Sequence, residues 1–206
     1  MILTVDVSLD TLNIPVAKHE LADSLKSVER FARGFGFPVV LKLVSPKVVH
    51  KTEVGGVVVV HSLDELRSVA SKFLEKGKVL VQEYCSGVEM FLGIKNDPAF
   101  GHVILAGVGG IFVEVYRDVS CRVCPINSRD AENMLDELKG RALLEGIRGQ
   151  KPVNKKALID AMVKLSRLPE KMPDLEELDV NPFFIDDKGG MAADARFILS
   201  EKPKGL

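Results

Sequence analysis

The run Pro38-Val-Val-Leu-Lys-Leu-Val-Ser45, followed after a charged loop by Gly55-Gly56-Val-Val-Val-Val60, decides how the chain is read. Both runs are short, β-branched and apolar, the pattern of strands buried in a sheet. The first carries a Lys, Lys42, at its centre. An ammonium in an apolar strand is costly unless it reaches a partner. A nucleotide phosphate at the sheet edge would be such a partner. A stem that snorkels to water is the alternative, and the residue alone leaves both open.

Working outward, Leu21, Leu25, Val28, Phe31, Ala32 and Phe35 recur at helical spacing, so a helix is expected from Leu21 to Phe35, stopped by Gly34 and Gly36. Ser62 with Glu65 predicts a capping box that opens a helix along Leu63, Leu66, Val69, Ala70, Phe73 and Leu74, closed by Gly77. Val79 to Gln82 is an expected strand, and Cys85 to Gly87 a connection to a second half. That half predicts strands over 88–95, 103–108, 111–116 and 120–126, with turn signals at Asp97-Pro98, Gly109-Gly110 and Arg117-Asp118. Helices are expected from Ser128 to Lys139 and from Asn154 to Leu168, then strands over 175–185 and 191–199. This order points to an α+β fold built of lobes, without the regular alternation of a doubly wound sheet.

The composition fits such a fold. The 206 residues carry 28 Lys+Arg against 29 Asp+Glu, a formal net charge of −1. That balance argues against nucleic acid, whose binders carry a basic surplus, and against a basic membrane-surface helix. With 46% apolar and 28% charged residues the chain reads as globular, able to bury a core as one large domain or two small lobes. Three Cys and no signal-peptide pattern lead to the expectation of a cytoplasmic protein. The longest apolar runs fall far short of the ~20 residues that span a bilayer.

Some motifs are missing. There is no Gly-x-x-x-x-Gly-Lys-Ser/Thr loop, and Gly107-Val-Gly109-Gly110 has Phe112 where a dinucleotide fingerprint needs its third glycine. Cys121-Arg-Val-Cys124 has redox or zinc spacing but no second pair, and residues three apart on a strand point to opposite faces.

Three stretches can carry chemistry. In His50-Lys-Thr-Glu-Val-Gly55-Gly56 the glycine pair lets backbone N–H groups turn toward an anion, and a partly neutral imidazole at His50 can attack phosphorus. A surface His beside a turn is the plainer reading. In the C-terminal hairpin, Asp179 and Asn181 share a strand face, and centring the turn between Asp187 and Lys188 puts Asn181 opposite Asp194. Three hard oxygen donors would then converge, as Mg²⁺ prefers. A solvated polar face is the alternative, though an Asn-Pro within a strand makes one poorly. Finally, Gln82-Glu83-Tyr84 and Glu89 flank the connection between the halves, where ATP often binds.

Gly36 to Pro46, His50 to Val57, Asp97 to Gly101, Gly107 to Val115 and Leu178-Asp-Val-Asn-Pro182 together resemble the ATP-grasp subunit of ADP-forming acetyl-CoA synthetases, the beta subunit above all. The resemblance covers nearly the whole chain. It implies an ATP-grasp fold with a lobe over residues 1–78, a second over 79–206, and nucleotide held between them. It further implies that Lys42 meets ATP phosphates, with Gly55-Gly56 beside them, and that Gln82, Glu83 and Tyr84 lie along the adenine, with Glu89 beyond. Asn181 and Asp194 become ligands of Mg²⁺ (or Mn²⁺), with Asp179 standing where relatives carry a Glu. His50 becomes the second phosphohistidine of a relay that starts on a CoA-binding alpha subunit, in an expected alpha2beta2 assembly. The reaction implied is acyl-CoA, ADP and phosphate giving free acid, CoA and ATP. Two other readings stand beside it: an ATP-grasp ligase that forms an acyl phosphate without phosphohistidine, and a nucleotide-sensing subunit without turnover.

Overall fold

The computed structural model describes residues 2–4, 13–45, 55–110, 115–147 and 149–200. The chain divides into two compact units, Ala17–Cys85 and Met1–Val16 with Ser86–Leu206. It opens with β1 (Ile2–Thr4), a strand of the larger unit. The smaller unit follows as β2 (His19–Ala22), α1 (Leu25–Phe35), β3 (Val39–Val44), β4 (Val57–Val60), α2 (Leu63–Leu74) and β5 (Lys78–Glu83). The larger unit then runs through β6 (Val88–Asp97), β7 (Gly101–Val108), β8 (Val119–Val123), α3 (Ser128–Asp136), a 3₁₀ turn (Lys139–Leu143), α4 (Lys155–Ser166) and a single turn, α5 (Leu168–Lys171). It ends in β9 (Leu175–Ile185), β10 (Gly190–Ala192) and β11 (Ala195–Leu199).

The smaller unit is an antiparallel sheet in the order β2-β5-β3-β4 with two helices on one face. Val39, Leu41 and Leu43 of β3 and Val79 and Val81 of β5 meet Val28 and Ala32 of α1 and Leu66, Ala70 and Phe73 of α2. Alternation along a strand sends Val40, Lys42, Leu80 and Gln82 to the other face. At α2, Ser62 accepts the Glu65 N–H at 3.2 Å as expected, but the Glu65 carboxylate takes the His61 N–H at 2.8 Å and not that of Ser62. The Gly77 N–H closes the helix on Phe73 O, and a Cβ at Gly77 would run into the carbonyl of Val44.

In the larger unit the sheet order is β1-β11-β9-β6-β7-β8, with β10 also paired to β9. Met90, Leu92 and Ile94 of β6, Ile104 and Ala106 of β7 and Leu178 and Val180 of β9 bury one face against Met134 and Leu135 of α3 and Leu158, Met162 and Leu165 of α4. The apolar phase of β9 slips between Val180 and Phe183, and the pairing of β6 with β9 shifts register between Met90 and Leu92. Asn181-Pro182 is therefore the extra length of a bulge, which re-aims side chains on the outer face.

Sheets of antiparallel strands with helices on one face make the fold α+β, as the order of elements predicts. Several boundaries differ from expectation. The lobe boundary expected at 78/79 falls elsewhere, because β5 is an inner strand of the small sheet and β1 pairs with β11 of the large one. The helix expected from Leu21 begins at Leu25: Leu21 belongs to edge strand β2 and is exposed, and its spacing to Leu25 only mimics a helical stripe. Strand β8 stops before Cys124-Pro125, where a missing N–H ends the ladder. Helix α3 ends at Asp136, because the buried carboxylate of Asp118 accepts the Lys139 and Gly140 N–H groups at 2.8 and 2.7 Å and opens the 3₁₀ turn. The last expected strand divides into β10 and β11 around Ala193-Asp194. Of the strand expected over 111–116, residues 111–114 lie outside the described residues, and Tyr116 is in a turn.

Candidate functional site

In the smaller unit the outer face of the sheet holds Lys42 and Gln82 among Val40, Val57 and Leu80, with His19 opposite Gln82 on edge strand β2 and Lys78 at the start of β5. Lys42 is 8% exposed and Gln82 3%. Lys42 stands opposite Leu80 and Val57, and Gln82 opposite Val40, so the two polar side chains sit diagonally on neighbouring strands of one face. Burying an ammonium and an amide is costly unless both are paired, and among the described residues no buried side-chain nitrogen or oxygen is left without a partner. Gly56 is fixed to the same sheet, its carbonyl accepting the Leu43 N–H at 2.8 Å. Gly55 has φ +67° with open space around it, a conformation that suits glycine and bares backbone N–H groups. Glu83 and Tyr84 leave the end of β5. The Glu83 carboxylate accepts the Lys18 N–H at 2.7 Å while its own N–H donates to Lys18 O at 2.9 Å, and Tyr84 is exposed. Burial and the charge of Glu83 push the Cys85 thiol up to about 11, eased by the ammonium of Lys42. His50 lies outside the described residues.

In the larger unit the outer face of the sheet is mixed, with Phe91, Leu105 and Ile198 on it, and its polar groups gather on β9 and β11. Glu177, Asp179 and Asn181 alternate along β9, while Leu178 and Val180 between them are buried. The pairing of β9 with β10 and β11 keeps one register across Asn181, so Asn181 stands opposite Asp194 as the hairpin centring predicts. The Asn181 N–H donates to Asp194 O at 3.2 Å, and the Ala193 N–H to Pro182 O at 3.0 Å. Arg196 stands opposite Asp179, its Nη2 2.8 Å from Glu177 Oε1 and 3.6 Å from Asp179 Oδ2. Burial raises the pKa of Asp179 above the usual carboxylate value, the Arg196 guanidinium opposes that, and the charges of Glu177 and Asp194 add to it. Glu89 is exposed on β6, and the Gly109 N–H donates to its carbonyl at 2.7 Å. A Cβ at Gly109 would come within 3.1 Å of the Glu89 Cβ, so Gly109 serves close backbone approach to β6.

Asp179, Asn181 and Asp194 are two carboxylates and an amide, all hard oxygen donors. Among the described residues no larger cage of His, Cys, Asp or Glu is gathered. That set suits an ion that takes its remaining ligands from phosphate and water, as Mg²⁺ does. Cys121 is exposed on β8, and burial pushes the thiol of Cys124 up to about 11, which holds it protonated at neutral pH.

A family profile for the ATP-grasp domain matches residues 4–199. The chain belongs to the ATP-grasp family. Within it, the beta subunit of ADP-forming acetate–CoA ligase I from Pyrococcus furiosus is 36% identical over 203 residues, covering 93% of this chain and 88% of that one. The acetyl-CoA synthetase 1 of Ca. Korarchaeum cryptofilum, solved with coenzyme A and Ca-AMPCP, superposes with a TM-score of 0.91 at 40% identity, covering 97% of this chain and 93% of that one. The same enzyme with coenzyme A and Mg-AMPPCP, its phosphohistidine segment pointing towards the nucleotide-binding site, gives 0.83 at 42% identity, covering 93% and 88%. This ATP-grasp chain is thus a member of the acid–CoA ligase beta-subunit group, as the five motifs imply.

The motif reading brings Lys42, Gly55, Gly56, Gln82, Glu83 and Tyr84 of the ATP-grasp chain into one unit, and Glu89, Asp179, Asn181 and Asp194 into the other. It assigned no role to Arg196 or Glu177. The signal for both was present: the hairpin centring that pairs Asn181 with Asp194 also pairs Asp179 with Arg196 and Glu177 with Ile198. In sequence Asp118 is only part of a turn signal, and a buried carboxylate holding two amides has no sequence signature of its own.

Proposed function

We propose that this chain is the nucleotide-charging subunit of an ADP-forming acyl-CoA synthetase, transferring a phosphoryl group between a phosphohistidine and ADP. The buried Lys42 on the outer face of the small sheet carries the reading. An ammonium held there is positioned for phosphate oxygens, with Gly55 and Gly56 offering backbone donors and Gln82 to Tyr84 lying along the base. Phosphoryl transfer asks mainly for such positioning and charge neutralisation.

Asn181 and Asp194, with Asp179 beside them, hold Mg²⁺. When bound, the ion neutralises charge on the phosphate oxygens. His50 carries the phosphoryl group: a terminal oxygen of ADP attacks phosphorus, the bond to the imidazole nitrogen breaks, and the imidazole is released to accept the next group. Upstream, cleavage of an acyl-CoA by phosphate gives CoA and an acyl phosphate on a CoA-binding alpha subunit, which passes the group on and releases the free acid. The Pyrococcus relative is named a beta subunit, which supports such a partner, and an alpha2beta2 assembly is the arrangement we propose. No helix among the described residues is long and apolar enough to cross a membrane, and we place the enzyme in the cytoplasm.

The test is ATP formation by the chain with its alpha subunit, acetyl-CoA, phosphate, ADP and Mg²⁺. Native protein forms ATP and His50→Asn does not. Equal rates for the two would remove the relay and leave the ligase without phosphohistidine.

A further inference from the structure

We propose that Arg196 is a positioning residue for the divalent cation, acting through Asp179. The inference rests on the reading of Asn181 and Asp194 as cation ligands. The guanidinium lies on the outer face of the large sheet, directly opposite Asp179 in the β9–β11 register, and bridges Glu177 at 2.8 Å and Asp179 at 3.6 Å. One step along the same face, Asp194 stands opposite Asn181 at the bulge. Both contacts are made by one nitrogen, Nη2, which donates a hydrogen bond to Glu177 Oε1 and stands at ion-pair distance from Asp179 Oδ2. The charge anchored by Glu177 draws that oxygen of Asp179 toward β11 and so orients the carboxylate beside the Asn181–Asp194 pair.

Two features separate this role from a structural one. Arg196, Glu177 and Asp179 all lie on the partly exposed face, with side-chain exposures of 42%, 37% and 30%, so truncating the guanidinium opens no cavity in the core. Partly exposed ion pairs of this kind also contribute little to stability. What a planar guanidinium adds over a point charge is a fixed donor direction, here that of Nη2 once it is hydrogen-bonded to Glu177. Partners that orient metal-binding carboxylates typically matter by about 10–100-fold in metal affinity.

The sign of the effect decides the matter. If Arg196 were only a nearby positive charge, its removal would relieve repulsion and tighten cation binding. If it orients Asp179, its removal weakens binding. The experiment measures Mn²⁺ affinity by electron paramagnetic resonance on the full chain with saturating ADP, and ADP affinity separately in EDTA. Arg196→Met is expected to weaken Mn²⁺ binding about tenfold, with ADP affinity in EDTA and thermal melting unchanged. Arg196→Lys keeps the charge without the fixed donor direction and is expected to recover only part of the loss, while Glu177→Gln frees the other end of the bridge and gives a smaller loss in the same direction. These two variants carry the test if Arg196→Met fails to fold. Unchanged or tighter Mn²⁺ binding in the Arg196 variants overturns the proposal, as does an equal loss of ADP affinity in EDTA, which would make Arg196 a phosphate contact. Asp194→Asn separates the two readings: if it binds Mn²⁺ like the native chain, the metal site itself is wrong. If it loses binding while the Arg196 variants do not, the positioning role alone fails.

Discussion

The outer faces of the two sheets solve opposite problems. That of the small unit holds two buried polar side chains, Lys42 and Gln82, among Val40, Val57 and Leu80. That of the large unit gathers a polar cluster on β9 and its neighbours, with Glu177, Asp179, Asn181, Asp194 and Arg196 held by cross-strand pairing. In the function proposed above, the first supplies a charge kept where water is scarce. The second supplies partly buried charges that must be aimed. Substitutions should therefore behave differently on the two faces.

The sharpest contrast is Lys42→Met. Removing a preorganised charge from a water-poor site is expected to lower ATP formation on the order of 10²–10³-fold. Thermal melting should change far less than activity, because Met keeps the apolar stem that packs on the sheet. A fall in melting temperature together with retained activity would make Lys42 an ordinary structural lysine. Leu41→Ala, one residue along on the opposite face, should do the reverse. It removes a fully buried core side chain, costs about 2–5 kcal/mol of stability measured by denaturant titration, and leaves the activity of the folded fraction largely intact. Asp118→Ala leaves the Lys139 and Gly140 N–H groups without their acceptor and should cost about 1–3 kcal/mol, confined to the larger unit. Ser62→Ala removes the cap that accepts the Glu65 N–H and should cost about 1 kcal/mol, confined to the smaller unit. The mildest contrast is chemical. Cys121 is exposed whereas Cys85 and Cys124 have thiols pushed up to about 11, so iodoacetamide at pH 8 should modify Cys121 first, as peptide mapping would show.

How much could be read beforehand also differs between the two faces. The buried strand with its central lysine was legible because a charge in a β-branched run breaks an otherwise uniform pattern. The hairpin was legible in register, because a turn between Asp187 and Lys188 fixes every pair along β9 and its partners, and Asn181 meets Asp194 accordingly. Strands β1 and β2 were not legible. Each is short and lies at the edge of a sheet, and Leu21 in β2 falls at a spacing that a helix shares. The end of α3 was set by Asp118, which acts from 21 residues away, beyond the reach of local pattern. The lobe boundary shifted for the same reason, since pairing of β5 inside the small sheet is a tertiary fact.

The charging role is tested most directly by following the phosphoryl group itself. The full chain is incubated with γ-labelled ATP and Mg²⁺, its acid-labile, base-stable label is mapped by peptide, and unlabelled ADP is then added. The account predicts label on His50 alone, none on His50→Asn, and its return to ATP on adding ADP. Label that persists in His50→Asn, or ATP bound tightly with no label on the native chain, would contradict it.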